Sequence, residues 1–91
     1  MSTLPDHVAA YKQTPVFSQD SIPAGLLKTH RTKQGVWGLL QVLEGTVIFC
    51  PEQEGAEKIK LSSGEQWVIE PEQEHHLELD GPVSCFVEFY K

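Results

Sequence analysis

Apolar and polar positions alternate along most of this chain, and glycine, proline and acidic turns interrupt the alternation. The clearest piece is GVWGLLQVLEGTVIFC, where apolar runs at 36–43 and 46–50 flank Glu44-Gly45. A glycine at the second position of a two-residue connection suits a tight hairpin, so the pattern predicts a chain reversal there. PEQEGAE follows as a polar loop, and KIKL is a short alternating strand. Residues 62–64 turn the chain into EQWVIE, which Pro71 ends. HHLEL resumes the alternation, Asp80-Gly81-Pro82 predicts another turn, and VSCFVEFY is a final apolar strand. A helical period shows only weakly, around residues 6–11. Short strands punctuated by turns predict an all-β domain, an antiparallel sandwich or barrel. Residues 1–20 read as an irregular arm in front of a barrel at 21–91, because Pro15 and Pro23 disfavour central strands. Such arms cover a sheet edge or reach a partner subunit.

Length and composition narrow this picture. The 91 residues, 40% of them hydrophobic, suit one domain with one modest core and one pocket. A second domain of Rossmann size does not fit. The formal net charge of −6 is concentrated: between Pro51 and Asp80 the acids Glu52, Glu54, Glu57, Glu65, Glu70, Glu72, Glu74, Glu78 and Asp80 face only Lys58 and Lys60. Such a surface repels phosphate backbones and argues against nucleic-acid binding. Lys28, Arg31 and Lys33 form a small basic group around His30, able to attract a small anion or simply to solvate a strand face. No apolar run has the length of a signal-peptide core or a membrane span, and the expected location is the cytoplasm. Cys50 and Cys85 are too few for a disulfide framework and read as small hydrophobes in apolar strands.

Alternation also sorts the candidate chemistry. In HHLEL, His75 shares a face with Leu77 and Leu79, while His76 shares the other with Glu78. His75 is therefore expected to point inward and His76 to water, so the two adjacent imidazoles are not partners. Glu88, inside CFVEFY, is costly if buried unless it is paired, protonated or bound to metal; at a sheet edge it simply faces water. His30, His75 and Glu88 together make a two-His, one-carboxylate set suited to a divalent ion with open positions. Nucleophile elbows, glycine-rich phosphate loops and an activated thiolate have no support in the sequence.

The segments TPVFSQDSIPAGLLKTHRTKQGVWGLLQVLEGTVIF, PEQEHHLEL and GPVSCFVEFY resemble the TehB/YeaR-like small cupin family, from about Leu4 to Tyr90. HRTKQGVWG and VLEG are the specific pieces. The family occurs alone and as the N-terminal domain of some tellurite-resistance methyltransferases. The resemblance implies a cupin-like double-stranded β-helix, or jelly-roll barrel, with a central pocket. Matching positions are His30, Trp37-Gly38, Gly45, Pro71, His75 and Glu88. The cupin metal pattern fits in part: Gly64 and His75 carry the spacing of its second motif, but the proline falls one place late and Glu72 stands for its inner glycine. Of the first motif only His30 is present, so half of the usual four-ligand set is missing. From the length, the methyltransferase of the fused relatives is not expected in this chain.

Three functions fit these readings. The first is a binding module that holds a small molecule or oxyanion among His30, Arg31, Trp37 and His75. The second is a metal-dependent enzyme, an oxygenase or isomerase, with iron, manganese, nickel or zinc on His30, His75 and Glu88. The third is a partner domain that uses its acidic face or its arm as a contact surface. Under all three a homodimer is expected, since a barrel this small leaves exposed edges.

Overall fold

The computed structural model describes residues 3–91, and the domain is nearly all β. Six strands form one antiparallel sheet: β1 (Ala10–Gln13), β2 (Phe17–Ser18), β3 (Trp37–Pro51), β4 (Ile59–Ser62), β5 (Gln66–Ile69) and β6 (His75–Tyr90). A single-turn 3-10 helix, Ala24–Leu27, lies between β2 and β3. No helix forms at residues 6–11; the chain turns there and enters β1.

Two long strands, β3 and β6, run antiparallel through the centre of the sheet. At one end β3 pairs with β4 and at the other with β5, while β1 and β2 lie along the free edge of β6. The N-terminal arm thus supplies two strands, with Pro15 in the break between them.

Neither the hairpin predicted at Glu44-Gly45 nor the turn predicted at Asp80-Gly81-Pro82 forms. Neither segment reverses the chain; both lie inside continuous long strands. The register slips between Val42 and Glu44 and again between Gly45 and Val47, so these residues make bulges that bend the strand. Gly45 has φ +75° and pairs with Val83, and a Cβ on it would sit 1.9 Å from the Pro82 carbonyl oxygen. Only glycine allows the two long strands to approach this closely where they bend.

The bend makes one core from two halves. Leu40, Val42, Cys85 and Val87 lie on one side of it, Val47, Phe49, Leu61 and Leu77 on the other, and all join a single buried cluster. Phe49 and Trp67, from opposite halves, have ring centroids 6.0 Å apart. The sheet therefore folds over itself, with alternate residues inward, but it does not close into a continuous barrel.

Candidate functional site

His75 opens β6 on its inward face and is buried, 2% exposed, as its alternation with Leu77 predicts. Its Nδ1–H donates to the Gln73 carbonyl at 2.7 Å, and its ring stacks on Phe49 at 4.9 Å between centroids. The loop before it is fixed by Glu72 at φ +60° and by the Glu72 amide, which donates to Thr32 Oγ1. Thr32 in turn donates to the Val36 carbonyl, so the 30–36 segment and the 70–75 loop are tied together.

The same tie brings in the second histidine. His30 and His75 exchange backbone hydrogen bonds of 2.8 and 2.9 Å, and their rings meet edge-on with centroids 4.2 Å apart. His30 Nδ1–H donates to the Lys28 carbonyl at 2.9 Å. Because a carbonyl can only accept, both rings carry a proton on Nδ1, which leaves Nε2 as the nitrogen turned away from the backbone. Burial pushes the His75 pKa down to about 4, with a smaller contribution from the neighbouring histidines; the Gln73 carbonyl and Glu52 pull the other way. His75 is therefore a neutral imidazole at pH 7.

Beside this pair lies a cavity of about 310 Å³ between the inner face of the sheet, the N-terminal arm and the 30–36 segment. Its floor is apolar, made by Leu26, Ile69, Val87 and Phe89. Its polar groups are the two imidazoles, Lys12, Arg31, Lys33, Thr14, Thr32 and Tyr11. Among the described residues, no carboxylate lines it. Three of the seven lysines and arginines of an acidic chain converge there.

Of the expected site residues, His30, Arg31 and His75 come together at this cavity, and Trp37 and Glu88 do not line it. The reason is strand alternation. Val87 and Phe89 face the cavity, so Glu88 between them faces the opposite side of β6. There it accepts a hydrogen bond from the Gln41 side chain. Trp37 lies on that same outer face, paired with Tyr90. The expected His30–His75–Glu88 ligand set is therefore split across the sheet. Lys12 and Thr14 escaped the sequence reading because an arm with no periodicity reaches the cavity only through its pairing with β6.

The outer face of the other half carries charged groups. His76 lies between two carboxylates: Nδ1 meets Glu52, and Nε2 is 3.0 Å from Glu78 Oε2. The hydrogen bonds to Glu78 and Glu52 raise the His76 pKa and hold both carboxyls below their usual range. Lys58 reaches Glu78 at 3.0 Å, and Lys60 reaches Asp80 at 3.3 Å.

The model of the TehB-like domain family matches residues 12–87, and the chain belongs to that family. It is 33% identical over 90 residues to proteins of two Haemophilus influenzae strains, each described as a probable S-adenosyl-L-methionine-dependent methyltransferase TehB. The match covers 93% of this chain but only 32% of those proteins, so the chain spans about a third of their length. The crystal structure of TehB from Haemophilus influenzae superposes with a TM-score of 0.80 at 31% identity, over 93% of this chain and 32% of that one. A crystal structure from Escherichia coli K12 superposes with a TM-score of 0.89 over 100% of this chain and 97% of its own, at 24% identity, a likeness of fold. Among the described residues, no helix is long and apolar enough to cross a membrane.

Proposed function

We propose that this domain is a binding module that captures a small oxyanion or anionic metabolite in the cavity beside His30 and His75. The observation that carries this reading is the lining: Lys12, Arg31 and Lys33 with two imidazoles and no carboxylate, in a chain of net charge −6. A cation-lined concave site within a negative surface selects anions by local field rather than by overall charge. Arg31 offers a planar fork for two anion oxygens, Lys12 and Lys33 add point charges, and the Thr14 and Thr32 hydroxyls complete the donors. The fold is read as a cupin-like double-stranded β-helix whose second face is completed by the arm. In the longer relatives such a module would stand beside a methyltransferase and present it with an anionic substrate.

Titration of the protein with phosphate, selenite and tellurite, followed by tryptophan fluorescence and equilibrium dialysis, tests this. Saturable binding of at least one of them is expected, weakened roughly ten-fold or more by Arg31→Gln. Binding untouched by that change, or none in the wild type, removes the reading.

One observation favours a second reading, a divalent metal at the cavity. His30 and His75 each hold Nδ1–H on a backbone carbonyl, which is how a ligating imidazole is oriented. Two imidazoles are then the whole interior set, because Glu88 faces the other way. The outer face of the β5–β3–β6 half, with Trp37, Val68, Phe86 and Tyr90, is the surface on which we place a homodimer contact. Two free thiols fit a reducing compartment such as the cytoplasm.

A further inference from the structure

We propose a second site: a zinc-class divalent cation held by Cys50, His76 and Glu78 on the outer face of the sheet, with Glu52 positioning His76. Strand geometry builds it. Cys50 lies near the end of β3 with Glu52 just beyond it, His76 and Glu78 are two residues apart at the start of β6, and Cys50 pairs directly with His76. All four side chains therefore project from one face as neighbours, away from the cavity and its imidazole pair.

The donor atoms of Cys50, His76 and Glu78 all lie within 4.8 Å of one another. Zinc bonds of about 2.0–2.3 Å need them to close by roughly 1 Å, a movement of side-chain rotamers rather than of backbone. Thiolate, imidazole and carboxylate form a mixed donor set that suits a borderline-soft ion, and two anionic ligands neutralise the dication. On binding, the Cys50 thiol and His76 Nε2 each give a proton to solvent, and the ion takes the place between His76 Nε2 and Glu78. A fourth position stays open to water.

Two features set this cluster apart from an ordinary surface ion pair. Glu52 meets His76 at Nδ1, the nitrogen opposite the one facing Glu78, and thereby makes the carboxylate–histidine pair that orients a metal ligand. Beside this pair stands the Cys50 thiol, which makes only a long 3.8 Å contact to the Ile48 carbonyl. Cys50 lies on the solvent-side face yet is only 2% exposed, enclosed beside His76 and Glu78. Lys58 is the competitor, since it holds Glu78 at 3.0 Å.

Cobalt(II) as a spectroscopic stand-in for zinc tests the site on the full chain, kept reduced with a thiol-free phosphine. The expected result is one equivalent bound per chain with a thiolate-to-cobalt charge-transfer band in the near ultraviolet. Cys50→Ser removes the band, His76→Asn and Glu52→Gln each weaken binding roughly ten-fold or more, and Lys58→Met tightens it. His30→Gln, at the cavity, leaves the band in place. Circular dichroism checks the fold of each variant. Should Cys50→Ser fail to fold, the wild-type band with the His76 and Glu52 variants decides. The proposal is overturned if the wild type shows no saturable binding, or if cobalt binds without a thiolate band and is lost in His30→Gln. The latter result would place the ion at the interior pair and leave the outer cluster a salt bridge.

Discussion

His75 and His76 are adjacent, yet their environments drive their titrations in opposite directions. His75 is buried against Phe49 and His30, so its charged form is disfavoured in the fold. Its folded pKa of about 4 lies below the unfolded 6.5, so the unfolded chain takes up its proton first as pH falls. The stability tied to a neutral His75 is complete above pH 6.5 and drains away as pH falls towards 4. Between pH 7 and pH 5 this one group should cost about 2 kcal/mol, read as the difference in unfolding free energy between wild type and His75→Gln at the two pH values. A wild-type curve no steeper than that of the variant would show that burial does not hold His75 neutral. His76 runs the other way. Its pKa is raised by Glu78 and Glu52, so its contribution is present below the unfolded value and lost as pH rises through the folded one.

At the scale of the strand, the decisive residues are those that look like turns. Gly45 combines φ +75° with a Pro82 carbonyl oxygen 1.9 Å from where a Cβ would stand. Gly64 has a comparable φ of +85° with nothing within 4 Å of a Cβ. Gly64→Ala is expected to cost about 1 kcal/mol, the left-handed penalty alone, while Gly45→Ala should cost about 3 kcal/mol or more. Urea unfolding of both checks the difference. Equal costs would mean that the bend tolerates a wider approach of β3 and β6. The local pattern at Glu44-Gly45 and Asp80-Gly81-Pro82 is the same for a hairpin and for a bulge. Which one forms depends on whether the flanking apolar runs pair with each other or with a distant strand, and here residues 37–51 pair with 75–90.

For the whole molecule, the charge distribution separates two surfaces. The cavity side gathers cations and imidazoles, while the outer face of the β4–β3–β6 half carries Glu52, Glu78 and Asp80 with their lysine and histidine partners. Anion binding at the cavity should therefore weaken as ionic strength rises, and the exposed Lys58–Glu78 and Lys60–Asp80 pairs of the outer face should weaken with it. A further prediction is assembly: sedimentation at micromolar concentration should give the mass of two chains, and Phe86→Glu on the outer apolar face should return it to one. A single-chain mass in the wild type removes the dimer proposal.

How far the sequence alone reaches follows from the range of the forces involved. Period-two alternation is local, so it placed His75 inward with Leu77 and Leu79 and His76 outward with Glu78, and it marked the chain as all β. The motifs around HRTKQGVWG led to the family for the same reason: they are contiguous. Alternation left Glu88 open because Val87 and Phe89 beside it are no guide until one face is known to line the cavity. The meeting of His30 with His75, the arrival of Lys12 and Thr14, and the square of Cys50, Glu52, His76 and Glu78 all depend on pairings between residues far apart in the chain. Those pairings are selected by burial of a single folded core, a property of the whole molecule, and so only the tertiary structure decides them.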